Sequence, residues 1–390
     1  MKPFRLAAAL AAVGLVAGGA GLVTTASTAA TASAGGKMLG PNQVTLADQV
    51  PWDRVGHGWY LTLIDQGDRG DFGVVADHQL LDLVDPLGGR YQLAKTTVAK
   101  DGSGYRRLVD WSTDGRTAVE VVSGKGVRQR AVVHDLRAGT HRVVRLDRRA
   151  ADVRLGPHGS LYEIRYGGRH GQPVLRRDSD GTTHLLLGRT DGHPLATRSA
   201  RHLVVGLQSR HDHRLLVLGS HGRLLRTLTT PQKCEASRWW RRGVVMARCD
   251  NGGRPRLYAA PLDGSPGHWL TADHGAGSAD LGDMDARRLE GTTYLQADGP
   301  CGVVFLARQH RDGTATEVHV PKATANVLLL GTRGTRLVLQ VTHTCDGGTS
   351  RDAITHFDPR TRDDRVVAEL PADEEYARIL GFAEHAVAIG

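Results

Sequence analysis

Short apolar runs and polar turns alternate along this chain with a period of roughly 35–50 residues. The clearest copy is Leu108-Val109-Asp110-Trp111-Ser112-Thr113-Asp114-Gly115-Arg116-Thr117-Ala118-Val119-Glu120-Val121-Val122. An apolar strand leads into a polar turn with Gly, and a second alternating strand follows. Weaker copies begin near Val153, Thr197, Ala236, Ala286 and Val327. Each unit is too small to bury both faces of its own sheet, so the units must stack on one another.

Each repeat reads as four strands, a to d, joined by tight turns. The a–b turns contain Ser112-Thr113-Asp114-Gly115, Gly156-Pro157-His158-Gly159, Ser199-Ala200-Arg201-His202, Trp240-Arg241-Arg242-Gly243 and Gly331-Thr332-Arg333-Gly334. The c–d turns form a second series, including Asp135 to Gly139, Asp178 to Gly181, Gly219 to Gly222, Leu262 to Ser265, His310 to Gly313 and Asp358 to Thr361. Gly and small polar residues at these points supply the positive φ that tight hairpins need. Two interleaved turn series predict an all-β fold, a β-propeller of four-stranded blades. Six units are complete: 108–147, 153–188, 197–230, 236–272, 286–322 and 327–371. Two partial pieces remain: 56–98, expected to supply outer strands, and 376–390, read as an a–b hairpin. Each would leave unpaired strand edges alone. Together they make a seventh blade, so seven blades closed by pairing of N- and C-terminal strands are favoured over six or eight.

Trp111-Ser112-Thr113-Asp114-Gly115-Arg116 resembles the blade signature of TolB-type propellers, in which Trp/Phe-Ser-Pro-Asp-Gly-Arg opens a blade. Thr113 stands where Pro is usual, and most other copies lack the Trp and the Asp. The resemblance implies a fold and an extracytoplasmic binding module. It implies no chemistry, because the motif is a structural turn.

The start of the chain reads as an address. Lys2 and Arg5 precede an apolar run from Leu6 to Val23, and Ala32-Ser33-Ala34 offers a small-x-small cleavage site. The expected organisation is a signal peptide over 1–34, a flexible segment over 35–50 and a single propeller over 51–390. No membrane span is expected after removal of the signal, and a secreted monomer is expected. The formal net charge is +9, and only seven of the 50 basic residues are Lys. Such Arg bias, with abundant Ala and Gly, resembles the usage of a GC-rich bacterial genome such as an actinobacterium's.

The four cysteines, Cys234, Cys249, Cys301 and Cys345, all lie in the part expected to be exported, where disulfides persist. Cys234 lies just before a strand a and Cys249 at the end of the following strand b, ends that antiparallel neighbours bring together. Cys301 and Cys345 lie at b–c turns of successive blades. The expected pairs are Cys234–Cys249 and Cys301–Cys345. A metal site is the alternative, although no Cys-x-x-Cys spacing supports it.

The b–c turns also carry a recurring cationic fringe: Lys125, Arg128 and Arg130; Arg169 and His170; Arg210, His211 and His213; Arg254 and Arg256; and Arg351. All b–c turns fall at one end of a propeller. The fringe therefore reads either as a face for an anionic envelope polymer or acidic protein, or as the solubilising charge of an Arg-rich chain. With 5% aromatic residues, no stacking platform for nucleic acid interleaves with the cations.

His211-Asp212-His213 and the acidic stretch Asp273, Asp280, Asp283 and Asp285 are weaker metal candidates, since neither matches a known ligand spacing. No metal or cofactor is expected. No Gly-x-Ser-x-Gly elbow, P-loop or dinucleotide fingerprint appears. Asp110, Glu120, Asp152 and Glu163 are acids that a glycan hydrolase or lyase would need to converge in the channel. Trp52, Trp59 and Trp239-Trp240 offer either a sugar platform or blade packing. The reading from sequence is a non-enzymatic, secreted propeller that binds a partner. An extracellular glycan hydrolase or lyase is the alternative.

Overall fold

The computed structural model describes residues 38–384, apart from 42, 57, 71–72, 100–103, 125, 148–149, 166–171, 191–193, 197–200, 210–211, 251, 274–281, 300–301, 324–325, 345–349 and 370–376. The expected signal peptide therefore lies outside the described residues. Seven sheets are present, as a seven-bladed propeller requires. The first blade comprises Tyr105–Trp111, Thr117–Ser123, Arg130–Asp135 and Thr140–Arg145. The second comprises Ala150–Leu155, Leu161–Arg165, Gln172–Arg177 and Thr183–Thr190, and the third Leu195–Ala196, His202–Ser209, Asp212–Gly219 and Leu224–Thr229. The fourth comprises Cys234–Arg241, Val244–Cys249, Arg256–Pro261 and His268–Trp269, and the fifth Gly282–Leu289, Thr292–Asp298, Val304–Gln309 and Ala315–Glu317. The sixth comprises Val327–Arg333, Arg336–Thr344, Ser350–Asp358 and Asp363–Glu369.

The closing blade takes one strand from the C-terminal part, Ala377–Glu384, and three from the N-terminal part, Tyr60–Gly70, Gly73–Val84 and Arg90–Thr97. This corrects the expected division. Tyr60–Gly70 is not an outer strand but pairs directly with Ala377–Glu384, Tyr60 opposite Glu384. Within the expected a–b hairpin, Ala377–Glu384 is one continuous strand, with Gly381 opposite Leu63 and a register shift between Leu63 and Ile64. The expected second half of that hairpin, 385–390, lies outside the described residues. The lead-in also differs from a flexible segment. Val44–Leu46 adds a fifth strand, parallel to Arg90–Gln92, on the outer edge of the closing blade.

Alternation within each strand explains the stacking. Leu203 and Val205 face the second blade, whereas Val204 between them faces the fourth. Side chains of a strand alternate between faces, so a middle blade must be apolar on both. Seven apolar clusters result, each shared by two neighbouring blades. Trp59, Leu61, Leu83 and Tyr91 of the closing blade meet Leu108 and Trp111 of the first. Tyr60, Ile64 and Val84 on the other face meet Val338 and Ile354 of the sixth. The turn Asp114-Gly115 closes as the sequence requires, with Gly115 at φ 71°.

His356, on the third strand of the sixth blade, is 5% exposed and lies among Arg333, Arg336 and Arg365. Burial and then these three cations push its pKa down to about 4. The folded state therefore refuses a proton that the unfolded chain accepts near pH 6.5. The stability this provides is complete above pH 6.5 and is lost as pH falls toward 4. The loss amounts to about 3 kcal/mol for a shift of this size. Denaturant unfolding at pH 7 and pH 4.5 should show a smaller acid loss in His356→Gln than in the parent. Equal losses would refute the assignment.

Candidate functional site

The end of the ring bearing the b–c turns is where the sequence places its cationic fringe. In the first blade, Gln129 donates through Nε2 to Ala150 O of the second blade at 2.9 Å. On either side of it, Arg128 in the turn and Arg130 at the start of the third strand are exposed. In the fourth blade Arg254 is half-buried, while Arg256 is packed. The Arg256 guanidinium lies 4.1 Å from the centre of the Trp269 ring and donates to Thr271 O at 2.8 Å. Arg256 is thus held by its own blade. His213 is half-buried opposite Gln208 in the third blade, and the Arg351 backbone pairs with His343 in the sixth. Lys125, Arg169, His170, Arg210 and His211 lie outside the described residues.

Cys234 and Cys249 also lie at this end and form a disulfide. They face each other in register across the first two strands of the fourth blade, both buried. Cys301 and Cys345 lie outside the described residues, so their expected pairing is carried by the turn positions alone.

The acids proposed for a catalytic channel are placed differently from one another. Glu120 accepts from Arg106 Nη1 at 2.7 Å and meets His134 Nε2 at 2.8 Å. Burial pushes its pKa up, but the bonds from His134 and Arg106 prevail and hold it below the usual carboxylate range. Glu163 takes Arg177 Nη2 at 3.0 Å and Arg165 Nε at 3.2 Å. Asp152 pairs with Arg154 at 3.2 Å. Asp110 accepts from Trp111 N at 2.9 Å and from Leu155 N of the second blade at 2.7 Å. Burial raises its pKa despite the opposing Arg154 charge. These oxygens stitch strands and blades together, which is what a buried carboxylate must do to offset its desolvation.

Sequence reasoning missed further ties of this kind because they are amides and short contacts without motifs. Gln79 brackets Arg106 of the next blade, donating to its O at 3.0 Å and accepting from its N at 2.7 Å. Leu329 N donates to Gln296 Oε1 at 2.9 Å between the fifth and sixth blades. Asp283 and Asp285 belong to a strand rather than to an acidic linker, and Asp285 pairs with Arg238 of the fourth blade at 2.7 Å. Among the described residues no group of three His, Cys, Asp or Glu is placed to hold a metal. The tryptophans serve packing: Trp59 and Trp111 are buried, and Trp239 Nε1 donates to Ala196 O at 3.0 Å.

No protein-family model matches the chain, and no curated protein matches it either. Solved structures are similar in fold. A prolyl endopeptidase aligns at 12% identity and a TM-score of 0.52, over 82% of this chain and 50% of that one. TolB from Acinetobacter baumannii aligns at 14% identity and a TM-score of 0.40, over 89% of this chain and 88% of that one. A TolB protein from Agrobacterium tumefaciens aligns at 11% identity and a TM-score of 0.42, over 66% and 87%. The chain spans half the length of the endopeptidase. The seven sheets carry the propeller assignment, and the TolB-like resemblance of residues 111–116 stands at the level of fold.

Proposed function

We propose that this chain is an exported, non-catalytic β-propeller that binds an anionic polymer or an acidic protein of the cell envelope through its b–c end. One contrast carries the reading: Arg128 and Arg130 stand exposed at that end, whereas the acids Glu120, Asp152 and Glu163 are buried under named donors. Exposed cations raise the local concentration of anions and steer their approach. Carboxylates already engaged by arginine are poor general acids or bases. The Cys234–Cys249 bond supports an oxidising compartment, and no described helix is long and apolar enough to cross a membrane.

The test is capture from an envelope fraction, at low salt and at about 0.15 M salt, where exposed charges are largely screened beyond about 8 Å. A discrete partner should survive moderate salt and should be lost from Arg128→Glu/Arg130→Glu/Arg254→Glu. Heterogeneous capture that vanishes with salt, whatever the variant, would show general electrostatics and remove the proposal. Turnover of an envelope glycan would replace it with the hydrolase or lyase reading.

A further inference from the structure

The opposite end of the ring, formed by the a–b and c–d turns, holds a cavity of about 770 Å³ between the second and third blades. Two turns from each blade build it, and its lining is strongly unequal in charge. Among the described residues of the lining Asp178 is the one acid, and it is already engaged. Arg176 Nε and Nη2 grip its two oxygens at 2.8 and 3.1 Å, and His184 Nε2 meets Oδ2 at 2.9 Å. The bond from Arg176 is the main influence holding the Asp178 carboxyl below its usual range.

Arg176 also reaches across to the third blade, donating through Nη1 to Ser220 O at 2.9 Å and to His221 Nδ1 at 3.0 Å. Arginine has only donors, so Nδ1 accepts and the ring proton of His221 lies on Nε2. The buried guanidinium thus fixes both the wall between the blades and the donor nitrogen of one lining imidazole. His158, on another wall, adopts φ 53°. It is held there by Ser160, whose N and Oγ both donate to Pro157 O, at 3.0 and 2.8 Å. Exposed Arg201 and Arg223 complete the lining with His202.

We propose that this cavity binds an oxyanion, carboxylate or phosphate, carried on a hydroxylated chain such as an acidic oligosaccharide or a polyol phosphate. Arg201 and Arg223 supply forked guanidinium donors that match either oxyanion. The imidazoles and the hydroxyls of Ser179 and Ser220 suit the hydroxyls of such a chain, and Pro157 and Leu225 provide apolar wall. The volume is that of a small-molecule site. The site lies at the other end of the ring from the b–c surface and does not depend on it.

Titration calorimetry of the full chain at about 0.15 M salt, with trigalacturonate, with a glycerol phosphate trimer and with neutral maltotriose, tests the proposal. At least one anionic probe should bind, and which of the two binds identifies the source of the oxyanion. Arg201→Glu/Arg223→Glu should weaken that binding at least tenfold, with the melting temperature unchanged because both side chains are exposed. Arg128→Glu/Arg130→Glu should leave it unaltered. Failure of both anionic probes, equal binding of maltotriose, or parental affinity in Arg201→Glu/Arg223→Glu would overturn the site. Loss of envelope capture alone would bear only on the b–c end.

Discussion

Arg90→Met is expected to lower unfolding free energy by about 3–5 kcal/mol, the range for removing one partner of a buried ion pair. Arg90 and Asp82 are 4% and 0% exposed in the closing blade. The arginine Nε and Nη2 converge on Asp82 Oδ2 at 2.8 and 2.7 Å. Even with this partner, burial outweighs the attraction of Arg90 and raises the Asp82 pKa. Without the cation, the carboxylate must take a proton or draw in water, and either disrupts the blade. Denaturant unfolding near pH 7 would measure the cost. Arg90→Met/Asp82→Asn should recover a substantial part of it, because the stranded charge is then gone. A double variant no more stable than Arg90→Met would mean that packing of the arginine stem, not its charge, is what matters.

Cys234→Ser/Cys249→Ser is the second large effect. The bond closes a loop with a sequence separation of 15. The chain-entropy model gives about 3 kcal/mol for such a loop. The variant should unfold at lower denaturant than the oxidised parent, and the parent with reductant should move toward the variant. Coincidence of the oxidised parent with the variant would show that the crosslink adds nothing. The fourth blade has particular need of it. Its outer strand is only His268–Trp269, and the core it shares with the fifth blade is built from small and medium residues such as Ala286, Ala307 and Met246.

The blades were legible because a strand buried on both faces leaves few polar choices, and the polar residues then mark the turns. Gly115 and Gly243, both at positive φ, punctuate the sequence where the hairpins turn. The Cys234–Cys249 register followed from the same logic, since the start of one strand must meet the end of its antiparallel neighbour. The closure was only half legible. The apolar positions of Tyr60–Gly70 suit an inner or an outer strand equally, and only the pairing with Ala377–Glu384 decides between them. The cavity was not legible at all. His158, Arg201 and Arg223 come from separate turns and Arg176 from the end of a strand, and no spacing in the chain links them. The fringe residues were easy to name but hard to weigh, because arginine is abundant throughout the chain.

The pairing of Tyr60–Gly70 with Ala377–Glu384 also sets a timetable for biosynthesis. At about 5–20 residues per second, the early strand waits on the order of tens of seconds for its neighbour to be made. During that wait Tyr60–Gly70 presents an open edge carrying Leu61, Leu63 and Ile64, the kind of edge that recruits strands from other chains. Ring closure therefore waits until Ala377–Glu384 has been made, and the nascent chain has to be kept apart from its copies until that strand arrives.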